Sequence, residues 1–306
     1  MKKGHYAILA LITTAVIWGV ALPLMKVNLE TIPPFSLGFV RFFIATFFAL
    51  IFIKSPSVSF RDFLHIGFFS FFGITIHIGL LLTGLVNSTS IDATFLLALS
   101  PVITSTLATQ TIRERINTPH KIGIALSFFG AFLYLSYPHI FGKEHLSVDL
   151  LGDLLILLAV LSGAIYVIGS KKLFEIYPSS SVSKVSFAVG AITFLPLSLF
   201  EFAKDPTWVN NISTFNFVSI LFLGIFSSFI AYTLLEWGLT YVSVHINETI
   251  SYISVVISIY LSNAFLGEKL NPTFIFSIAL VALGLYLVTR YKPRSHHHFR
   301  HRIHKI

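Results

Sequence analysis

Stretches of about twenty nearly uninterrupted apolar residues recur along this chain, and such a segment has few ways to fold. The hydrocarbon core of a bilayer is about 30 Å thick, so a helix rising 1.5 Å per residue crosses it in about 20 residues. Stretches of that kind run over about 6–25, 35–53, 65–85, 91–111 and 121–137, then about 151–170, 182–203, 216–241, 245–266 and 271–291. Between them fall turn-rich breaks such as Ile32-Pro33-Pro34, Ser55-Pro56-Ser57 and Tyr177-Pro178-Ser179, where proline does not continue a helix. Only 11% of the residues are charged, less than half the share of about a quarter in soluble domains, so most of the surface is not made for water. The reading is an all-α integral membrane chain of ten transmembrane helices. Cysteine is absent, which excludes disulfide scaffolds, cysteine-ligated zinc and thiol nucleophiles.

Charge sets the expected orientation, because cytoplasmic loops collect Lys and Arg. With the N-terminus inside, the inner loops hold Lys2, Lys3, Lys54, Arg61, Arg113, Arg115, Lys121, Lys171, Lys172 and Lys184, and the outer ones hold Lys26, Lys143, Lys204 and Lys269. That bias predicts a multi-pass protein of the cytoplasmic (inner) cell membrane with both termini cytoplasmic. Met1-Lys2-Lys3 before an apolar run looks like a secretory signal, but nothing resembling a small-residue cleavage site follows, so the first span is read as a retained anchor. The net charge of +8 sits largely at the C-terminal end, in residues 292–306, a basic His-rich cytoplasmic tail. That tail suits anionic lipid, at about 1 kcal/mol per basic residue, and His-rich tracts also bind metals. We assign no metal site to it, and the charge is not read as a sign of nucleic-acid binding.

The chain also resembles itself. Sliding it by 154 residues brings Gly84-Leu85 onto Gly238-Leu239, Val102-Ile103 onto Val256-Ile257, Glu114 onto Glu268, Asn117 onto Asn271 and Gly130 onto Gly284. The first two spans of each half align at an offset near 145. Each half, residues 1–145 and 146–291, then holds five spans. Five is odd, so the second copy enters the membrane upside down. Inverted repeats of this kind place a substrate site near the midplane and permit rocking alternating access.

Ten spans, two five-span halves and a helix-end Glu followed by a basic residue, an apolar residue and Asn resemble the drug/metabolite transporter superfamily, in particular its EamA-type branch. Trp18-Gly19, Pro101, Glu114 and Glu268 carry the likeness. Members of that family often have an acidic residue before the proline of the fourth and ninth spans. Here Ser100-Pro101 and Ser254-Val255 stand instead. The resemblance implies that the first, third, sixth, eighth and ninth helices face a central pathway.

Polar groups at membrane depth are costly and few, which makes each a functional candidate. Trp18, Tyr166, Tyr232 and Tyr252 lie at middle depths on helices that the resemblance places around the pathway, and with His77 and Ser100 they form the candidate substrate site. His77, whose ordinary pKa lies near neutrality, is equally readable as a hydrogen-bonded core residue. Glu236, Asn247 and Glu248 surround the eighth-to-ninth connection. There the two carboxylates either take up a proton or cation, or are solvated loop-end and capping residues. His77, Glu236 and Glu248 are therefore the candidate coupling groups. Arg41 is read as structural, either snorkelling outward or paired with Glu30, with a carboxylate- or phosphate-binding role as the alternative. Glu114, Glu268 and Asp92 are read as structural, capping helix ends or pairing with neighbouring bases.

No Gly-x-x-x-x-Gly-Lys-Ser/Thr segment points to an ATP-driven pump, and no cofactor is expected. The function read from the sequence is a secondary transporter, not an enzyme, moving a small organic solute such as an amino acid, a derivative or an amphipathic metabolite. The competing classes are an integral membrane enzyme, for which no convergent catalytic set is visible, and a facilitative channel, for which no filter is visible. The expected partners are the solute and the lipid bilayer, with a monomer as the working unit and a dimer as the alternative.

Overall fold

The structure is a computed structural model that describes residues 2–111, 118–141, 149–268 and 273–290. Glu114, Lys143, Lys269, Asn271 and the basic tail lie outside those residues. The described residues contain no strand. Among the described residues ten long helical elements follow one another, with a short 3-10 helix at Thr207–Asn211 between the seventh and eighth: α1 (Lys2–Leu29), α2 (Pro34–Phe52), α3 (Phe60–Asn87), a broken α4 (Ser90–Leu97 and Ser100–Thr111), α5 (Thr118–Phe141), α6 (Asp149–Leu173), α7 (Ser179–Lys204), α8 (Thr214–Tyr241), α9 (Val244–Leu266) and α10 (Phe274–Arg290). Eight of them are long and apolar enough to cross a membrane, while α5 and α10 carry shorter apolar stretches, Lys121–Gly130 and Phe274–Gly284. The outer face is apolar. Phe43, Phe47, Leu50 and Ile51 of α2 and Ile192, Leu195, Leu199 and Phe200 of α7 are all exposed. In water, apolar patches of this size mark interaction sites or aggregation; in hydrocarbon they are the matching surface.

Inside hydrocarbon, helix ends cannot leave their orphan N–H and C=O groups to water. Where loops are only two to four residues long, the partners come from distant helices. Glu201, at the end of α7, accepts from the backbone N–H of Phe35 (3.1 Å) and Ser36 (2.7 Å) at the start of α2. Glu268, just past α9, accepts from Ser90 and Ile91 N–H, each at 2.8 Å, at the start of α4. The expected capping duty of Glu268 is thus met, on a helix from the other half. Lys26 donates to the Leu85 and Ser88 carbonyls at 2.8 and 2.7 Å, closing the C-terminal end of α3. Lys171 does the same for α8 through Leu239 and Val242, at 2.5 and 2.7 Å. A cation there also favours the negative end of the helix dipole.

The two lysine caps are one contact made twice. Lys171 is Lys26 shifted by 145, and Leu239 and Val242 are Leu85 and Ser88 shifted by 154. Other contacts repeat in the same register. A methyl group on Gly84 would stand 2.6 Å from the Gly152 carbonyl oxygen and 2.8 Å from Ile156, and one on Gly238 would stand 2.8 Å from Leu11 and 3.4 Å from the Ala7 carbonyl oxygen. Ala7 and Leu11 are the counterparts of Gly152 and Ile156. Even helix irregularities recur: α3 widens into a π-helical segment at Phe71–Ile76 and α8 at Leu223–Ile230, overlapping positions in the two halves.

Where a residue touches its own counterpart, the axis relating the halves must pass close by. The Tyr252 hydroxyl donates to the Ala98 carbonyl at 3.1 Å, a separation of 154 in sequence. Helices α5 and α10 cross in the same way. Gly130 faces Ser277, Leu280 and Val281, while Gly284 faces Gly123 and Ser127, with 2.8 and 2.4 Å between an added methyl and the nearest backbone oxygen. Replacing Gly84 or Gly130 by Leu should overpack these crossings by about 1–3 kcal/mol. In thermal unfolding of the detergent-purified chain both variants should melt several degrees lower, whereas Gly4→Leu, with open space around it, should not. An unchanged midpoint for Gly130→Leu would contradict this register of α5 on α10.

Candidate functional site

Helices α6 and α7 bring hydroxyls to one buried carboxylate on α8. Glu236 on α8 is 0% exposed. The Tyr166 hydroxyl of α6 donates to its Oε1 in a short hydrogen bond, and Ser183 of α7 donates to Oε2 at 2.6 Å. Behind them Ser186 lies 3.4 Å from the Tyr166 hydroxyl and 2.8 Å from the Ser70 hydroxyl of α3. Tyr166 fits because α3 has no side chain opposite it: a methyl group on Gly73 would overlap the tyrosine ring at 2.0 Å. The solvated loop-end reading of Glu236 is therefore overturned, since α8 continues to Tyr241 and packs that turn inward.

One turn earlier on the same face of α8, Tyr232 is the hub of an aromatic cluster. Its ring meets Trp18 at 5.2 Å, Phe42 at 6.1 Å, Phe187 at 6.4 Å and Tyr166 at 6.5 Å between centroids, with interplanar angles from 62° to 88°. These are edge-to-face arrangements, which aromatic quadrupoles favour. Trp18 is positioned by the π-helical segment. The Ala231 N–H bonds to the Phe226 and Ser228 carbonyls and skips Ser227, whose carbonyl takes the Trp18 indole N–H at 3.1 Å.

Another turn back, Arg41 of α2 is 1% exposed. The expected pair with Glu30 does not form. Its Nε and Nη2 donate to Ser228 and Ser227 at 3.3 Å and its Nη1 to the Met25 sulfur at 2.8 Å.

The remaining candidates gather elsewhere. His77 donates from Nδ1 to the Ala159 carbonyl at 2.7 Å, since a carbonyl oxygen only accepts, and its ring lies over Gly163. This too is one half of a repeated contact. The counterparts of Ala159 and His77 are Thr14 and Ala231, whose hydroxyl and carbonyl are 3.1 Å apart. Ser100, Glu248 and Tyr252 form a second group where α4 meets α9. Pro101 carries no N–H, the Val102 N–H turns to Leu99, and the Ala98 carbonyl is left for Tyr252. Glu248, buried at 4% exposure, accepts from Ser100 at 3.1 Å and from Asn247 at 3.2 Å.

The six substrate-site candidates thus fall into an α1–α6–α8 group (Trp18, Tyr166, Tyr232), a group on α4 and α9 (Ser100, Tyr252), and His77 on the α6 surface. Sequence reasoning missed Ser183, Ser186 and Ser70. Ser183 and Ser186 extend the run Ser179-Ser180-Ser181, which reads as a loop, and only their i, i+3 spacing on one helix face marks them.

An outward apolar face, an internal repeat and a buried acid–tyrosine pair among aromatics define a multi-pass membrane protein with a buried polar cluster. Comparison with known proteins carries this further. The profile of the EamA-like transporter family matches residues 5–136 and again 150–290, so the chain belongs to that family, within the drug/metabolite transporter superfamily. An uncharacterized transporter of Archaeoglobus fulgidus is 28% identical over 298 residues, covering 95% of this chain and 99% of its own. A second from the same organism is 30% identical, covering 94% and 87%. A probable amino-acid metabolite efflux pump of Escherichia coli is 26% identical, covering 94% of each. A crystal structure superposes with a TM-score of 0.69 at 19% identity over 93% of this chain and 96% of that one, which speaks to fold. The protein is a membrane transporter.

The Tyr166–Glu236 bond can be weighed directly. Interhelical hydrogen bonds in membranes couple by about 0.6 kcal/mol on average and 1.7 at most, and a charge-assisted one belongs at the upper end. A double-mutant cycle of Tyr166→Phe and Glu236→Leu, read by unfolding in detergent, should give a coupling above about 1 kcal/mol. Additive effects would contradict the contact.

Proposed function

We propose that this protein is a secondary transporter that moves a small organic solute by alternating access between its two halves. The observation that carries this reading is the set of contacts made twice, above all the Lys26 and Lys171 caps, because two halves packed alike but inverted can exchange conformations. The halves are residues 1–145 and 146–291. The solute site comprises Trp18, Tyr166 and Tyr232, with His77, Ser100 and Tyr252 extending it towards α4 and α9. The solute class is an amino acid, a derivative or an amphipathic metabolite; the efflux pump of Escherichia coli is named for amino-acid metabolites. Glu236, Glu248 and His77 are the groups that take up and release a proton as the halves rock. The Ser183 and Tyr166 hydroxyls give Glu236 two hydrogen-bond partners from other helices, which can separate as the halves move. Both termini face the cytoplasm of the inner membrane, and the monomer is the working unit.

The absence of cysteine makes the test direct. Tyr232→Cys should react with a membrane-impermeant thiol reagent applied from either face, Ile176→Cys between α6 and α7 only from inside, and Phe47→Cys, on the lipid face of α2, from neither. Labelling of Tyr232→Cys from a single face under all conditions would contradict alternating access.

The same readout reports coupling. The ratio of inside to outside labelling of Tyr232→Cys should shift between pH 5 and pH 8. Adding Glu236→Gln or His77→Asn should flatten that shift. If both additions leave it unchanged, neither group couples the carrier to protons.

A further inference from the structure

Arg41 poses a problem that the proposed site does not solve. A charged side chain at membrane depth is costly to insert, and buried charges are ordinarily paired. Arg41 is 1% exposed, yet each of its described hydrogen-bond partners is neutral: the hydroxyls of Ser227 and Ser228 and the sulfur of Met25. Among the described residues no carboxylate hydrogen-bonds to it. Thioether sulfur is a weak acceptor, so the Nη1 edge of the fork is held by a partner that an anionic oxygen would readily replace. A tie between α1, α2 and α8 needs only a neutral amide. The charge is what the packing leaves unexplained.

Its surroundings indicate what would neutralise it. The guanidinium fork suits bidentate recognition of a carboxylate. Ser227 and Ser228 can turn their O–H groups towards an anion that approaches the fork. Both belong to the π-helical segment of α8, and such segments frequently occur at functional sites. The Ser227 carbonyl holds the Trp18 indole, so the aromatic cluster begins where the cation ends. Tyr232 follows Ser228 by four residues, about 6 Å along the helix, which is about the length of a small aryl acid.

We propose that Arg41, Ser227 and Ser228 form the carboxylate subsite of this transporter, and that its substrates are organic carboxylates whose apolar or aromatic body lies on Trp18 and Tyr232. This rests on the transport reading and names the substrate class of the same site.

Equilibrium dialysis of the full chain in detergent, corrected for empty micelles, tests it with three radiolabelled probes of one shape: phenylacetate, phenylacetamide and phenethylammonium. Phenylacetate should bind at least tenfold more tightly than the other two. Arg41→Gln should weaken phenylacetate at least tenfold and leave phenylacetamide unchanged, with Arg41→Lys between. Should Arg41→Gln fail to fold, the Ser227→Ala/Ser228→Ala double variant replaces it, with a severalfold loss for phenylacetate alone. Equal binding of the acid and the amide, no binding of the acid, or wild-type affinity for the acid in the variant that folds would each overturn the proposal. Binding at equilibrium does not need the carrier to cycle. A chain that binds phenylacetate through Arg41 but labels from one face keeps the subsite and loses alternating access, and the opposite pair of results keeps the carrier and loses the subsite.

Discussion

The requirement that governs this structure is that no backbone amide may be left unsatisfied in hydrocarbon. Regular helices meet it by themselves, and the informative places are those where helices end or deviate. At the ends, Lys26, Lys171, Glu201 and Glu268 reach across to other helices. Within helices, the π-helical turns and Pro101 disturb the ladder, and the Ser227, Phe72 and Ala98 carbonyls take the Trp18 indole, the Ser162 hydroxyl and the Tyr252 hydroxyl. Capping and site-building are the same chemistry here. Three side chains proposed for the solute site, Trp18, His77 and Tyr252, each give a polar hydrogen to a backbone carbonyl.

The repeat explains the frame, and departures from it explain the charges. Glu236 and Glu248 correspond to Leu82 and Thr94 in the first half, and Arg41 corresponds to Ser186 in the second. The lysine caps and the glycine crossings are kept in both copies, while Arg41, Glu236 and Glu248 each stand in one copy alone. A duplicated scaffold supplies two sets of equivalent positions, and chemistry is then free to occupy one set. The acids lie in the second half and the buried cation in the first, with Tyr232 between Arg41 and Glu236 along α8.

Much of the fold was legible in the sequence because membrane helices announce themselves by length and hydropathy, and because the repeat placed Gly84 on Gly238 and Glu114 on Glu268 without a gap. The site was legible only in part. Helices that are apolar on nearly every side carry no stripe to show which face turns inward. The inward turn of Glu236 near a helix end, the joining of Arg41 to α8 and not to Glu30, and the grouping of Tyr252 with Ala98 away from Trp18 all depend on rotation about helix axes. The serines of α7 were hidden because serine is a loop residue in water and a hydrogen-bonding helix residue in lipid. The π-helical segments have no proline to mark them, and the capping lysines read as charges for topology when they also close helices.

Contacts on the axis impose a rule of inheritance on this chain. At Ala98 and Tyr252, and at Ser127 and Val281, a residue of one half meets its own duplicate in the other. Immediately after duplication the two sides of such a contact were the same residue, so space had to be shared equally. Tyrosine against alanine at one crossing is an unequal division of that space, while serine against valine at the other is a more even one. Neither partner can grow unless the other stays small. Positions that lie 154 apart in the gene are therefore neighbours in selection, and the descendants of this fold are expected to drift there in complementary pairs.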